Sequence, residues 1–290
     1  MSIALITGCS TGIGFATAVA MARAGHEVVA AMRNPDGTPE LAELAVAEKL
    51  PVSVARLDVD SDESVRRGIE AVLATRGRID VLVNNAGIGG EGPVEEVEIG
   101  VFRKVMETNF FGALRCTQAV LPGMRQQRSG HIVNISSITG RIAVAPQAAY
   151  AASKWALEAM TEVLAQEVRP FGIRVALIEP GFIATPIFGK VERREWSSYY
   201  PQARRGLALF QASLQNQNPT PASVVGDRIV EIVKHADTTL RHLVGPDATG
   251  FLDWRSSMTD EQWIEWWGVE REEEWVRNVK RVMGIDVSPK

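Results

Sequence analysis

Three side chains near the middle of the chain have the types and spacing that proton transfer to an oxygen atom requires. Tyr150 and Lys154 are four residues apart, so in a helix they share one face. A phenol has a pKa of about 10, which is poor for proton transfer at neutral pH, and a nearby ammonium group lowers it. Ser137, thirteen residues before the tyrosine, supplies a hydroxyl for a substrate oxygen. These residues predict general acid–base chemistry.

A glycine-rich turn lies far upstream of these residues, where the first apolar run ends. The stretch TGCSTGIG at 7–14 follows IALIT and opens a helical pattern. Gly8 permits a tight turn, Gly12 lets the backbone approach a pyrophosphate, and Gly14 lets the helix pack on the strand. The free amides and positive dipole end of such a helix bind phosphate. The spacing G-x-x-x-G-x-G differs from the usual G-x-G-x-x-G fingerprint, and a tight turn without a ligand is the alternative.

The elements that must position these residues follow from the alternation of apolar runs and helical patterns. Most of the apolar runs are continuous, as in strands buried on both faces of a parallel sheet. The predicted strands are 3–7, 27–32, 52–59, 79–85, 131–136, 173–180 and 242–245. The predicted helices are 13–24, 62–75, 101–127 and 148–168. Gly25 is predicted to end the first helix, and Asp60 with Glu63 to cap the second.

This order of elements predicts an α/β fold in which one domain covers residues 1–290. The domain is a Rossmann doubly wound parallel sheet of about seven strands with helices on both faces. Ligands of such sheets bind beyond the carboxyl ends of the strands. The glycine turn and Ser137 both follow predicted strands, so we expect them at the same edge.

Composition and charge exclude several classes of protein. The chain has 290 residues, of which 46% are hydrophobic and 23% charged, as in ordinary globular proteins. A net charge of −4 favours neither nucleic acid nor an anionic membrane as a partner. Cys9 and Cys116 are isolated, and the four histidines lack ligand spacing, so no disulfide framework and no metal site are expected. With no signal peptide after Met1 and no membrane span, a cytoplasmic protein is predicted.

Five short motifs occur in order along the chain. They are TGCSTGIG at 7–14, NNAG at 84–87, NISS at 134–137, YAASK at 150–154, and PG at 180–181 with Thr185. Their residues and gaps resemble those of the short-chain dehydrogenases/reductases over about residues 1–185, together with the seventh strand. Within that family the chain looks most like the hydroxysteroid and retinol dehydrogenase branch. That branch acts on apolar secondary or allylic alcohols and their carbonyls.

The resemblance implies a set of site residues. Tyr150 is expected to be the acid/base, and Lys154 to lower its pKa and bind the nicotinamide ribose. Ser137 is expected to orient the substrate, and Asn109, in TNFFG, to hold a water of the proton relay. The other expected cofactor contacts are Gly8, Ser10, Thr11, Gly12, Ile13, Gly14, Arg33, Asp58, Val59, Asn85, Ala86, Gly87, Pro180, Gly181, Ile183 and Thr185.

The end of the second strand decides between the two nicotinamide cofactors. An acidic residue there accepts hydrogen bonds from the adenosine ribose and favours NAD. Here Met32 takes that place, Arg33 follows it, and Asp36 comes too late to replace the acid. A guanidinium suits a 2′-phosphate, and the family pairs arginine here with NADP. The second basic residue of some NADP-binding members is replaced by Thr11. NADP is predicted, NAD is less favoured, and an Arg33 that points to solvent is the alternative.

Two segments beyond the motifs are expected to concern the substrate or a partner. The segment at about 186–220 is predicted to be a lid, with small helices that pack on the body as the alternative. Its apolar residues are Ile187, Phe188, Val191, Trp196, Tyr199, Tyr200, Leu207, Leu209, Phe210 and Leu214. The extension at about 251–290 is rich in tryptophan, and Trp263, Trp266 and Trp267 form a stripe in a helix. We expect that stripe to pack on the chain itself, before a subunit or a ligand.

The resulting hypothesis is an NADP-dependent oxidoreductase that interconverts an apolar secondary or allylic alcohol and its carbonyl by hydride transfer. A 3-oxoacyl-type carbonyl reductase is the alternative substrate class. A nicotinamide-binding sensor without turnover is the alternative function, but such members usually lack the tyrosine or the lysine. The resemblance also implies a homodimer or homotetramer formed through the helices at 101–127 and 148–168.

Overall fold

The computed structural model describes residues 1–187, 199–216 and 219–288. The strands in these ranges are β1 Ile3–Thr7, β2 Glu27–Met32, β3 Val52–Arg56, β4 Val81–Asn84, β5 Gly130–Ile135, β6 Ile173–Pro180, β7 Ile183–Ala184, β8 Thr220–Pro221 and β9 Arg241–Val244. Seven of the described strands form one parallel sheet in the order β3-β2-β1-β4-β5-β6-β9. The short strands β7 and β8 pair with each other outside it.

Helices connect the strands and continue beyond the last one. They are α1 Gly12–Arg23, α2 Glu40–Glu48, α3 Asp62–Arg76, α4 Ile99–Met106, α5 Gly112–Gln127, α6 Ala148–Val168, α7 Pro201–Asn216, α8 Ala222–His235, α9 Pro246–Ser256, α10 Asp260–Gly268 and α11 Glu272–Met283. A π-helical turn, Glu107–Phe111, joins α4 to α5, and a 3-10 turn, Ile138–Gly140, follows β5. The predicted doubly wound Rossmann fold of one domain is confirmed.

The sheet has a hydrophobic core on each face, which explains its continuous apolar runs. Along β1, Ala4 and Ile6 belong to the core that includes side chains of α1, α2 and α8. Ile3 and Leu5 belong to the opposite core, with side chains of α3, α5 and α6. Because successive side chains of a strand point to opposite faces, a strand covered on both sides needs apolar residues throughout.

The cap of α3 differs from the prediction, whereas Gly25 follows the end of α1 as predicted. The cap of α3 is Ser61, whose hydroxyl accepts a hydrogen bond from Ser64 N at 3.2 Å, so the predicted cap at Asp60 is wrong by one residue. A serine oxygen reaches the third amide of the helix in the usual capping geometry. The first helix ends at Arg23, and Gly25 follows with φ +90°. Gly25 therefore takes the left-handed conformation for which glycine is favoured.

The predicted helix at 101–127 is not continuous. The π-turn Glu107–Phe111 interrupts it between α4 and α5 and contains the buried Asn109. A π-turn widens the helix locally, and such turns are frequent at functional sites. The sequence of this segment is helix-forming on both sides, so composition alone did not reveal the interruption.

The C-terminal extension packs on the chain's own body and forms a third hydrophobic core. Trp263, Trp267 and Trp275 are buried there with Leu209 of α7 and Ile142, which follows β5. The indole of Trp263 also donates a hydrogen bond to the carbonyl oxygen of Ala143 at 3.2 Å. The extension is thereby attached close to the end of β5.

Part of the predicted lid lies outside the described residues. Phe188, Val191 and Trp196 belong to residues 188–198, and the side chain of Leu214 is likewise not described.

Within the described ranges, no helix combines the length and the apolar character that a membrane crossing needs. The same ranges contain no group of three or more metal-binding side chains.

Candidate active site

The turn between β1 and α1 has a backbone that glycine adopts without strain. The φ angle is +72° at Gly8 and +63° at Gly12. A Cβ on Gly8 would lie 2.8 Å from the Cα of Ala86, and a Cβ on Gly14 would lie 2.5 Å from the carbonyl oxygen of Gly8. Glycine is therefore required here for conformation and for packing. The turn brings the first amides of α1 to the carboxyl edge of the sheet, where an anion can bind.

The ends of β1 and β4 are held together by hydrogen bonds. Thr7 Oγ1 accepts from the amides of Asn85 at 3.0 Å and Ala86 at 3.1 Å. Asn85 Nδ2 donates to the carbonyl oxygen of Thr7 at 2.8 Å. These bonds fix the NNAG segment against the glycine turn, because both backbones are bound by the same two side chains.

A buried polar network lies beneath this edge. Asn84 Nδ2 donates to Asn134 Oδ1 at 2.8 Å and to Thr117 Oγ1 at 3.0 Å. Asn134 Nδ2 donates to Thr161 Oγ1 at 2.8 Å. The network joins β4 and β5 to α5 and α6. Because buried polar groups need partners, it fixes the position of α6 relative to the sheet.

The three residues singled out first in the sequence come together at the end of β5. Tyr150 is buried and hydrogen-bonded to Ser137. Ser137 Oγ also lies 2.6 Å from Thr139 Oγ1 and accepts from the amide of Thr139 at 3.1 Å. Lys154 Nζ donates to the carbonyl oxygen of Ile135 at 2.7 Å and lies 5.6 Å from the centre of the Tyr150 ring. The serine, the phenol and the amine thus occupy one small region.

Burial governs the protonation of this group. Burial raises the pKa of Tyr150 to about 12, and the hydrogen bond from Ser137 opposes that rise. Lys154 is expected to lower this pKa, but desolvation of the phenolate is the largest influence in the structure, so the net direction is upward. Burial also lowers the pKa of Lys154 to about 8, against the negative charge of Glu158, which raises it. Burial therefore favours the neutral form of both groups, and the hydrogen bond from Ser137 and the charge of Glu158 oppose it.

Asn109 is held by three hydrogen bonds, two to the backbone of Ile88 and one to Ser153. Its Oδ1 accepts from the amide of Ile88 at 2.8 Å, and its Nδ2 donates to the carbonyl oxygen of Ile88 at 3.0 Å. Its Nδ2 also donates to Ser153 Oγ at 2.9 Å. The π-turn thus couples α6 to the backbone that follows the NNAG segment. No sequence pattern pointed to Ile88 as the partner, because this contact arises only from the fold.

One cleft of about 630 Å³ connects these features. The predicted site residues that line it are Gly8, Ser10, Thr11, Gly12, Ile13, Arg33, Asp58, Val59, Asn85, Ala86, Gly87, Ser137, Tyr150, Lys154, Pro180, Gly181, Ile183 and Thr185. Gly14 and Asn109 are not part of its lining, and both are buried. The fold therefore brings nearly all of the predicted residues to one cavity.

The end of the cleft beside β2 has a basic residue and no acidic one at the end of the strand. Met32 is buried, and Arg33 is exposed at the rim. Asn34 and Thr38 also line the cleft there, and sequence analysis did not identify them. Asp36 pairs with Arg56 at 2.6 Å. Only their closeness to Arg33 in the sequence was a signal for Asn34 and Thr38.

A smaller cavity of about 80 Å³ adjoins the other end of the cleft and shares Glu91, Ser137 and Gly181 with it. Its aromatic wall is formed by Phe182, Phe210, Phe251, Trp254 and Trp267. The last three come from the C-terminal extension, so this segment contributes to the site as well as to the third core.

Asp247 supports the turn after β6 and was not identified from the sequence. Its Oδ2 accepts from the amide of Phe182 at 2.7 Å. A Cβ on Gly181 would lie 2.5 Å from Asp247 Cγ, so the glycine makes room for the carboxylate. Gly181 and Asp247 are 66 positions apart in the sequence, so no local sequence pattern connects them.

Comparison with known proteins agrees with this architecture. The family model described as short chain dehydrogenase matches residues 2–196. Human retinol dehydrogenase 8 is 46% identical over 192 residues, which are 64% of this chain and 60% of that protein, so the chain spans less than two thirds of that relative. The 3-ketodihydrosphingosine reductase of Bacteroides thetaiotaomicron is 36% identical over 249 residues, 84% of this chain and 88% of that protein.

A solved structure shows the same fold over almost the entire chain. The short-chain dehydrogenase from Streptomyces avermitilis has a TM-score of 0.80 and 35% identity, with 96% of this chain and 97% of that chain covered. The sheet order, the glycine turn and the family match agree with one another. This chain therefore belongs to the short-chain dehydrogenase family.

Proposed function

We propose that this protein is an NADP-dependent oxidoreductase that interconverts an apolar secondary or allylic alcohol and its carbonyl by hydride transfer. The observation that carries the proposal is the grouping of Ser137, Tyr150 and Lys154 in the same cleft as the glycine turn. A phosphate-binding turn and a proton donor at two ends of one cavity are what such a reaction needs.

The residues of the cleft fit a nicotinamide dinucleotide. The pyrophosphate would lie on the glycine turn at the start of α1, where a Cβ on Gly8 would meet the NNAG backbone. Gly181 and Thr185 line the same cleft as Tyr150, and they would hold the nicotinamide amide. The cofactor, when bound, supplies or accepts the hydride at the substrate carbon.

Tyr150 moves the proton in this scheme. In reduction its hydroxyl donates a proton to the substrate oxygen, and in oxidation its phenolate accepts that proton. Ser137 donates a hydrogen bond to the same oxygen and stabilises the charge that develops there. The ammonium group of Lys154 stabilises the phenolate and so offsets the burial that raises the pKa of Tyr150.

The preference for NADP rests on the rim beside β2. A 2′-phosphate there would meet the exposed guanidinium of Arg33 and the polar side chains of Asn34 and Thr38. A ribose without the phosphate would find no carboxylate at the end of β2, because Met32 stands there and is buried. A guanidinium binds phosphate through paired hydrogen bonds.

Cofactor preference is tested by steady-state kinetics with both nucleotides. We expect kcat/KM with NADPH to exceed that with NADH. Arg33→Ala should lower kcat/KM with NADPH by about 10- to 100-fold, since a hydrogen bond to a charged group contributes about 1.5–3 kcal/mol. Arg23→Ala, at the far end of α1, is the control. A wild-type enzyme that uses NADH more efficiently than NADPH would contradict the proposal.

The apolar substrate rests on the smaller cavity. Its wall is mostly apolar, and Ser137 belongs to both cavities, so a carbonyl held by Ser137 has an apolar space for its larger substituent. Two of the relatives are named for retinol and for 3-ketodihydrosphingosine, which both carry long apolar chains. α7 contributes Leu207, Leu209 and Phe210, and we propose that its segment covers the substrate as a lid.

Turnover is tested with a panel of ketones, allylic aldehydes and their alcohols, followed by the absorbance of the reduced nicotinamide. We expect activity with apolar members of the panel. Tyr150→Phe should abolish turnover and leave cofactor binding within about threefold, because it removes only the hydroxyl. Substantial activity in that variant would exclude Tyr150 as the acid/base. Cofactor binding without turnover on the whole panel would favour a sensor.

A homodimer or homotetramer is proposed from the outer face of α6. Trp155 is 50% exposed on this helix, and Val163 is exposed two turns further on. Phe111, on the neighbouring π-turn, is also exposed. Large apolar side chains grouped on an outer face are typical of subunit contacts. Light scattering after gel filtration measures the mass, and a monomer at all concentrations would contradict the proposal.

A further inference from the structure

A cluster of charges that includes two buried glutamates lies one helical turn beyond Lys154. Glu158 is one helical turn after Lys154 on α6 and is almost fully buried. Its Oε2 accepts from Arg241 Nε at 3.0 Å. The same nitrogen lies 3.4 Å from Glu179 Oε1, on β6. Glu179 Oε2 in turn accepts from Arg141 Nη1 at 3.5 Å, so α6, β6 and β9 meet in this cluster.

The carboxylate of Glu158 is enclosed beside the 3-10 turn that follows β5. Glu158 Oε1 is buried and has no hydrogen-bond partner among the described residues. A Cβ on Gly140 would lie 2.9 Å from Glu158 Cγ, so the absence of a side chain at Gly140 makes room for the glutamate. Arg241 also binds Glu162 at 2.6 Å, but Glu162 is 53% exposed and a further turn from the amine. Arg241 thus fixes two glutamates of very different burial.

We propose that Glu158 is a positioning residue that keeps the buried side chain of Lys154 protonated during turnover. This inference rests on the proposed roles of Tyr150 and Lys154. A buried ammonium group has lost most of its hydration and releases its proton more readily than in water. Glu158 supplies a compensating negative charge at i+4, where Cβ atoms are about 5–6 Å apart. Its charge is the influence that raises the pKa of Lys154 against burial.

The other charged groups around α6 have different partners. Lys104 of α4 pairs with Asp60, and Glu107 of the π-turn pairs with Arg115 of α5. Arg103 of α4 is exposed. On the side of the sheet, Glu179, Arg141 and Arg241 belong to the cluster itself.

The size of the effect follows from Coulomb's law. Two unit charges about 6 Å apart in an effective dielectric of about 20 shift a pKa by about two units. The positive charge of Arg241 lies behind Glu158 and cancels part of this shift. We therefore expect a change of about one pH unit when the charge of Glu158 is removed.

The experiment compares Glu158→Gln with Glu162→Gln, a glutamate of the same helix that binds the same arginine. The active form in carbonyl reduction carries a proton on both Tyr150 and Lys154. Removing a nearby negative charge makes the first proton easier to lose from either group. In Glu158→Gln the alkaline decline of kcat/KM should therefore move to lower pH by about one unit. The plateau value of kcat/KM should stay within about threefold of the wild type. In Glu162→Gln the alkaline decline should not move.

A second measurement does not depend on turnover. The ¹⁵Nζ resonance of Lys154, assigned by its loss in Lys154→Met, should titrate about one pH unit lower in Glu158→Gln than in the wild-type full chain. Glu158→Asp keeps the charge and should remain closer to the wild type in both measurements. An unchanged Lys154 titration in Glu158→Gln would overturn the inference. So would an equal shift in Glu158→Asp, Glu158→Gln and Glu162→Gln, which would indicate a merely structural disturbance. Failure of all variants and the wild type to turn over would refute the proposed function instead.

Discussion

Glu179 allows a direct test of how strongly burial changes the pKa of a carboxyl group in this protein. Its side chain has 0% exposure, between Arg141 at 3.5 Å and Arg241 at 3.4 Å. Burial raises the pKa of Glu179 from 4.5 to about 7, Glu158 raises it further, and the two arginines lower it. We expect Glu179→Gln to become progressively more stable than the wild type as the pH rises, because glutamine carries no charge to desolvate.

The sign and size of the effect follow from proton linkage. A carboxyl group with a raised pKa in the folded state stabilises the protein below its unfolded pKa. This contribution is lost as the pH rises from about 4.5 toward about 7. With these two values, the wild type loses about 2.5 kcal/mol between pH 5 and pH 8. The variant has no such titration, so its advantage over the wild type should grow by that amount.

The assay is urea unfolding of both proteins at one protein concentration and at several pH values between 5 and 8. The quantity of interest is the difference in the free energy of unfolding between variant and wild type. Glu162→Gln is the control, because Glu162 is exposed and its difference should stay constant within about 0.5 kcal/mol. A Glu179→Gln difference that stays equally constant would refute the reasoning, since the carboxyl would then titrate alike in both states.

Three further changes test the packing of the site. Gly14→Ala places a Cβ 2.5 Å from the carbonyl oxygen of Gly8, so we expect the affinity for the cofactor to fall by at least about 10-fold. Fluorescence titration measures this affinity. Gly100→Ala is the control, because a Cβ there has nothing within 4 Å and should not change the affinity. Asn134→Ala removes the link between β4 and α6 and should cost about 2–4 kcal/mol in urea unfolding; a loss below about 1 kcal/mol would mean that the network adds little. Trp275→Ala, at 0% exposure, should cost about 3–5 kcal/mol, and a smaller loss would show that the third core collapses around the cavity.

The sequence was most informative where local pattern and burial coincide. The helix at 148–168 was predicted with the bounds that α6 has, and the strand at 173–180 with those of β6. Both are long, and β6 is buried on both faces, so most of its residues are apolar. The order of the motifs also predicted correctly that Tyr150 and the glycine turn line one cavity.

The features that the sequence did not reveal depend on distant contacts. The π-turn has no compositional signal, and Asn109 occupies it because Ile88 and Ser153 bind its side chain. The raised pKa of Tyr150 arises from burial, which only the packed structure supplies. Asp247 lies in α9 and contacts the turn after β6, so the periodicity of the sequence could not predict this contact.

The clustered indoles of the C-terminal extension give the protein an optical property of its own. The ring of Trp254 lies 4.7 Å from those of Trp263 and Trp266, and it is tilted by 65° and 75° relative to them. The electronic transitions of indoles this close and this strongly tilted couple to each other, and the coupled transitions produce circular dichroism. Because Trp254 and Trp267 also line the smaller cavity, we expect a molecule that enters it to alter that coupling. Circular dichroism in the indole bands should therefore change when a molecule occupies the smaller cavity, without any added label.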